Sequence, residues 1–165
     1  MIRIDYNLSL PQEAHSIVAV PKMIALRRHC SNRPFNFVGE TREYDKQPMN
    51  FDTPVMPLHC YGFPFKLTEE GPEFAIKLMK FPDEGRAPLV WFAEGSVWLP
   101  KELPISMYII RYRAFIEAME AAKGIGFNVR VSDEGGYWGT KNANSLVSAI
   151  DRDRKYKDPR ESIVR

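Results

Sequence analysis

Proline is distributed unevenly along this chain of 165 residues, and its positions limit where long helices can form. Twelve of the thirteen prolines lie between Pro11 and Pro104, and the other is Pro159. Because proline lacks a backbone N–H and clashes with the preceding helical turn, it disrupts helix interiors and central strands. The pattern therefore predicts short strands joined by turns over residues 1–103, and long helices in the proline-free stretch 105–158.

The clearest strand signal lies at the start of the chain. Ile4, Tyr6 and Leu8 recur with a period of two, and the polar residues Asp5 and Asn7 point the other way. This alternation predicts a strand with one buried face. Runs rich in β-branched and aromatic residues predict further strands over 14–20, 35–38 and 55–65. The segment 73–81 is ambiguous, because its apolar spacing fits a strand but Pro72 could also open a short helix, and we favour a strand.

A hairpin is predicted around Glu94 and Gly95, which separate the apolar runs 89–93 and 96–99. A two-residue turn of this kind commonly joins antiparallel strands. Counting outward from the turn places Trp91 opposite Trp98. Such an aromatic pair contributes on the order of 0.2–1 kcal/mol to stability, so packing alone accounts for both tryptophans.

After Pro104 the apolar spacing changes to that of a helix, with one stripe formed by Ile105, Tyr108, Ile109, Tyr112, Phe115, Ile116 and Met119. Gly124 and Gly126 end this helix, and a second helix covers 142–154. Between the two helices a strand is predicted over 127–132, because the apolar Phe127, Val129 and Val131 alternate with the polar Asn128, Arg130 and Ser132. The predicted class is α+β: a mainly antiparallel sheet from the N-terminal two-thirds packs against a long helix at about 105–123, followed by a strand and a second C-terminal helix. Residues 1–151 form one domain, and 152–165 form a flexible, charged tail.

Charge and cysteine content restrict the classes of function. The 23 Lys and Arg nearly balance the 21 Asp and Glu, and a net charge of +2 is too small to predict a nucleic-acid partner. Two cysteines are too few for a disulfide-stapled secreted scaffold, and residues 1–6 do not resemble a signal peptide. No apolar run approaches the roughly 20 residues that cross a bilayer. We therefore expect a cytoplasmic protein without a membrane span.

The loop 133–140 is the strongest candidate site, because it combines glycines, carboxylates and aromatic rings between a strand and a helix. Glycine allows close approach of a ligand, and aromatic faces offer a stacking surface. The candidate ligand-binding residues are Asp133, Glu134, Gly135, Gly136, Tyr137 and Trp138, with Trp91 and Trp98 from the hairpin. The structural alternative is a tight turn in which Tyr137 and Trp138 close the core and the carboxylates cap backbone amides.

The dipeptide His-Cys occurs twice, at His29-Cys30 and His59-Cys60. Four such ligands would suit zinc, but adjacent residues on a strand point to opposite faces and rarely bind one ion together. Neither cysteine lies in a protease-like signature, so a thiol nucleophile is not favoured. We predict no metal and no cofactor.

Three functions follow from these patterns. The first is non-catalytic binding of a ligand or protein at a cleft between the 133–140 loop and the tryptophans. The second is a hydrolase-like or metal-assisted enzyme, whose candidate catalytic residues are Asp133, Glu134, His59 and His15. The third is nucleic-acid binding through the basic tail and Arg27-Arg28. We favour the first, expect a homodimer because of the 12% aromatic content, and leave the identity of the ligand open.

Overall fold

Nine strands and four helices occur in residues 1–11 and 14–155, the part of the chain that the computed structural model describes. The first half contains β1 (Arg3–Leu10), α1 (Ser16–Ser31), β2 (Phe37–Val38), β3 (Arg42–Glu43), β4 (Met49–Asn50), β5 (Pro54–Val55) and β6 (His59–Lys66). The second half contains β7 (Glu73–Lys80), β8 (Trp91–Trp98), α2 (Ile105–Ile125), β9 (Asn128–Asp133), α3 (Tyr137–Thr140) and α4 (Ala143–Lys155). The predicted α+β class with an antiparallel sheet is confirmed.

The main sheet has seven strands in the order β2-β6-β7-β8-β1-β9, and β3 also pairs with β6. Every pairing is antiparallel. Strand β1 lies between β8 and β9, with Ile4 opposite both Val97 and Asp133. Since directly opposite residues share a face, this register determines which side chains of the three strands lie together.

One face of the sheet is covered by helices α1, α2 and α4, whose apolar side chains share the main core with the sheet. Phe115 of α2 lies at the centre of this core. Its ring is 5.5 Å from that of Tyr6 in β1 and 5.8 Å from that of Phe65 in β6. Because Ile4, Tyr6 and Leu8 point to the helices, the predicted alternation of β1 is confirmed.

Several other predicted elements are confirmed. The predicted stripe of α2 faces the core, with Tyr108, Tyr112 and Phe115 almost completely buried. Helix α2 ends at Gly126, which adopts φ 113°, a conformation that glycine reaches without strain. Gly124 lies inside the helix rather than at its end. The ambiguous segment 73–81 is strand β7.

Residues 16–20 are helical, so the strand predicted over 14–20 is wrong. Helix α1 begins at Ser16 and includes Pro21. A proline inside a helix costs about 3 kcal/mol. Burial of Ala19, Met23 and Leu26 contributes about 1.5–3 kcal/mol for each of the larger side chains, so packing against the sheet outweighs the proline.

The hairpin predicted at Glu94 and Gly95 is also wrong, because both residues lie inside the continuous strand β8. A type I′ or II′ turn needs positive φ in this pair, and neither residue has it. Gly95 is required for another reason. A Cβ atom there would lie 2.7 Å from the hydroxyl oxygen of Tyr6, so glycine lets this ring pack against the strand.

A smaller apolar cluster covers part of the face opposite the helices, which we call the open face. Phe92 of β8 points to this face and stacks on Phe81, with ring centroids 5.7 Å apart. Phe51, from the β4–β5 hairpin, packs edge-on against Phe81 at 5.2 Å. Residues 156–165 of the predicted tail lie outside the described residues, and 152–155 belong to α4.

Candidate functional site

One oxygen of the Asp133 carboxylate accepts three hydrogen bonds from within the chain. Its Oδ2 atom accepts hydrogen bonds from the Tyr112 hydroxyl at 3.0 Å, the Tyr137 amide at 2.7 Å and the Trp138 amide at 3.2 Å. Asp133 therefore ties the first turn of α3 to α2. These contacts match the structural alternative for the loop, in which a carboxylate caps backbone amides.

Tyr112 and the glycines of the loop form the other half of this arrangement. Burial raises the pKa of Tyr112, and the neighbouring charge of Asp133 raises it further, so the hydroxyl stays protonated and donates. The same oxygen accepts a hydrogen bond from the Gly135 amide at 3.2 Å. A Cβ on Gly135 would lie 2.6 Å from that oxygen, and Gly136 has φ 66°. Packing and turn geometry thus account for both glycines.

Glu134 and Trp138 are also occupied by intramolecular contacts. Glu134 Oε2 accepts from the Arg3 amide at 2.8 Å, at the exposed end of β1. Two ammonium groups contact the Trp138 ring, with Lys123 Nζ at 4.2 Å and Lys141 Nζ at 4.4 Å from its centroid. The loop residues are therefore held by the protein itself.

The structure does not bring the two predicted tryptophans to this loop. Trp98 lies opposite Arg3, and Asp133 lies opposite the next residue, Ile4. Because successive residues of a strand point to opposite faces, Trp98 and Asp133 point to opposite faces of the sheet. Trp91 lies opposite Leu10, six residues from Ile4 along β1, which is about 20 Å. The predicted cleft between loop and tryptophans is therefore not formed.

The predicted catalytic histidines lie near Trp91 instead. The His59 ring stacks on Trp91 with centroids 5.5 Å apart. Trp91 Nε1 donates to the Ala14 carbonyl at 2.5 Å, which places His15, the next residue, at this end too. A reaction joining either histidine to Asp133 would have to span most of the length of β1.

Both cysteines are free and buried. Burial raises the pKa of Cys30 to about 12 and also raises the pKa of Cys60, so neither is held as a reactive thiolate. Within residues 1–11 and 14–155, no group of three or more His, Cys, Asp and Glu side chains could hold a metal ion.

The open face carries polar side chains in rows that cross three strands. Asn7 of β1 lies opposite Glu94 of β8 and opposite Arg130 of β9. With neighbouring strands about 4.8 Å apart, the backbones of Glu94 and Arg130 are separated by about 10 Å. A carboxylate, an amide and a guanidinium therefore form one line across the sheet, which we call the charged row.

A groove of about 570 Å³ lies above the charged row. The next row, Phe92, Ser9 and Asn128, also lines it, and its wall is formed by Phe51, Pro88 and Val90. The groove thus combines polar groups that can form hydrogen bonds with an apolar wall, as ligand sites commonly do.

The polar side chains of the groove have no partner among the described residues. Within the described ranges, the side chains of Asn7, Ser9, Glu94, Asn128 and Arg130 make no hydrogen bond or ion pair. In the neighbouring row, by contrast, Ser96 donates to Asp5. The groove residues are therefore available to a ligand.

Sequence patterns gave only part of this site. The alternation in 2–10 and 127–132 predicted that Asn7, Asn128 and Arg130 point away from the core. The predicted hairpin, however, placed Glu94 in a turn. Glu94 reaches the groove because β8 pairs with β1, and local sequence patterns could not predict this pairing because it links residues far apart in the sequence.

No known protein-family model matches the chain, and comparisons with curated proteins and with solved structures found no similar protein. None of the helices described here has the length and apolar character that a membrane crossing requires. The function must therefore be inferred from the site itself.

Proposed function

We propose that this protein is a non-catalytic binding protein and that its ligand occupies the groove on the open face. The charged row supports this proposal most directly, because Glu94, Asn7 and Arg130 present polar groups that no described residue pairs with, beside an apolar wall. The proposal keeps the first function predicted from the sequence and moves its site away from the 133–140 loop.

The charges of the row define the ligand. Glu94 suits a positively charged group, and Arg130 suits a carboxylate, which it can bind with two parallel hydrogen bonds. The separation of about 10 Å corresponds to about three residues of extended chain. We therefore propose a short peptide with a free ammonium group at Glu94, a carboxylate at Arg130 and an apolar side chain against Phe51 and Val90.

The enzyme alternative has less support, because it needs a histidine beside Asp133 or Glu134. Asp133 accepts three hydrogen bonds, and His59 stacks on Trp91 at the other end of the sheet. Binding of nucleic acid through Arg27 is also less favoured, because Arg27 donates to Gly39 and pairs with Glu40. The free thiols of the chain are compatible with a cytoplasmic location, which we also propose.

The proposal is tested with a tripeptide, glycyl-phenylalanyl-glycine, and two derivatives, one acetylated at the amino end and one amidated at the carboxyl end. Binding is followed by ¹⁵N-edited NMR, and we expect shifts at the amides of β8, β1 and β9. Charged hydrogen bonds contribute about 1.5–3 kcal/mol each when well formed, so loss of one charge should weaken binding by about tenfold to a hundredfold.

Variants of the charged row distinguish specific binding in the groove from non-specific electrostatic attraction to the protein surface. Glu94→Gln should weaken binding of the free peptide but leave binding of the acetylated peptide unchanged. Arg130→Gln should weaken binding of the free peptide but leave binding of the amidated peptide unchanged. Arg113→Gln removes an exposed cation from α2 and is the matched control. Absence of shifts with every peptide, or equal weakening by Arg113→Gln, contradicts the proposal.

A further inference from the structure

Strand β9 forms one end of the main sheet, and no strand of the described residues pairs with its outer edge. The amide of Glu134 donates to the carbonyl of Arg3 at 3.0 Å, and in an antiparallel ladder every second residue bonds to the same neighbour. Ser132 and Arg130 therefore bond towards β1, and the backbone groups of Val129 and Val131 point outward. Asp133 also points outward, and its carbonyl accepts a hydrogen bond from the Gly136 amide at 3.2 Å. Across residues 1–11 and 14–155, no backbone group pairs with Val129 or Val131 on this edge.

The opposite end of the sheet is protected, and β9 is not. Strands β2 and β3, each two residues long, cover the outer side of β6. Very short edge strands give little backbone for another chain to pair with. Strand β9 pairs with β1 without interruption over six residues, from Asn128 to Asp133, and contains no proline or lysine. Its edge is thus regular enough to accept another strand.

We propose that β9 pairs with β9 of a second copy of this chain, in antiparallel orientation about a two-fold axis at Val131. The seven-stranded sheets of the two copies then form one continuous sheet. Val131 pairs with Val131 of the second copy, and Val129 pairs with its Asp133. Because each Asp133 carbonyl already accepts the Gly136 amide of its own chain, these three pairs supply about four backbone hydrogen bonds between the copies.

Charge and hydrogen bonding both select this register. With the axis at Val131, Arg130 lies opposite the neutral Ser132 of the second copy. An axis at Arg130 places two guanidinium groups opposite each other, and like charges in that position destabilise pairing. An axis at Ser132 leaves only the Val131–Asp133 pairs, because β9 ends at Asp133. The interface does not depend on what the groove binds.

The oligomeric state is measured first, by light scattering of the full chain during size exclusion. We expect twice the chain mass. Val131→Pro removes the outward amide from both copies, and loss of two hydrogen bonds should weaken the dimer about tenfold or more. Val131→Thr keeps the amide and the β-branched shape, so this control should dimerise like the unmodified protein. A monomer at all concentrations, or a dimer unaffected by Val131→Pro, overturns the proposal.

Disulfide cross-linking tests the register even if Val131→Pro fails to fold. Arg130→Cys and Ser132→Cys are prepared separately and then mixed under mild oxidation. Opposite residues of this kind lie about 4.5 Å apart at Cα, within the range for a disulfide. We expect cross-linking mainly between the two different variants. Cross-links within one variant alone, or none in the mixture, overturn the proposed register.

Discussion

Replacement of Asp133 tests whether the 133–140 loop is a structural or a functional feature. Asp133 Oδ2 accepts three hydrogen bonds, one from Tyr112 in the core and two from amides at the start of α3. Hydrogen bonds to a charged group contribute about 1.5–3 kcal/mol each, but water can replace part of the bonding to the amides. We expect Asp133→Ala to lower the free energy of unfolding by about 2–4 kcal/mol.

The assay is urea unfolding followed by tryptophan fluorescence and circular dichroism, with the slope compared between variants. Glu134→Ala is the matched control, because Glu134 is exposed and accepts one hydrogen bond from Arg3. It should cost no more than about 1 kcal/mol. Asp133→Asn keeps one acceptor oxygen, so its loss in free energy of unfolding should fall between those of Asp133→Ala and Glu134→Ala.

A double-mutant cycle with Tyr112→Phe tests whether the Tyr112–Asp133 hydrogen bond is responsible for the loss of stability. Tyr112 and Asp133 are joined directly at 3.0 Å, so their effects should not add, and we expect a coupling energy of about 1 kcal/mol. Peptide binding in the groove should survive Asp133→Asn. If the free energy of unfolding of Asp133→Ala lies within about 0.5 kcal/mol of that of the unmodified protein, the structural role assigned to this loop is refuted.

Further predictions concern buried and titratable groups. Cys30 and Cys60 should react slowly with a disulfide reagent in the native state and rapidly in denaturant, and fast native labelling would contradict their burial. Partial burial and the Arg33 cation lower the pKa of His29, so the folded state favours the neutral imidazole. The resulting contribution to the free energy of unfolding is complete above about pH 6.5 and disappears as pH falls through the lowered pKa of His29. NMR titration of the imidazole should show this lower midpoint, and His29→Gln should reduce acid destabilisation over that interval. Gly62→Ala would place a Cβ 1.9 Å from a backbone oxygen, so we expect about 1–3 kcal/mol of destabilisation in urea unfolding.

Helix α1 shows where sequence reasoning failed and why. Local propensity argued against a helix that includes Pro21, yet its buried side chains meet the sheet and the rest of the main core. The strength of that packing depends on neighbours that are distant in the sequence. The same limitation explains β8, where Glu94-Gly95 has the composition of a turn but continues the strand because β1 lies alongside it.

The sequence by itself determined the elements whose signal is local. The alternation of Ile4, Tyr6 and Leu8 specified a half-buried strand, and the stripe that includes Tyr112 specified the face of α2, because strand and helix periods are set by backbone geometry alone. Tertiary structure alone decided strand order and register. Those pairings place Glu94, Asn7 and Arg130 in one row and leave β9 at an open edge, since hydrogen bonds between strands join residues that no local pattern connects.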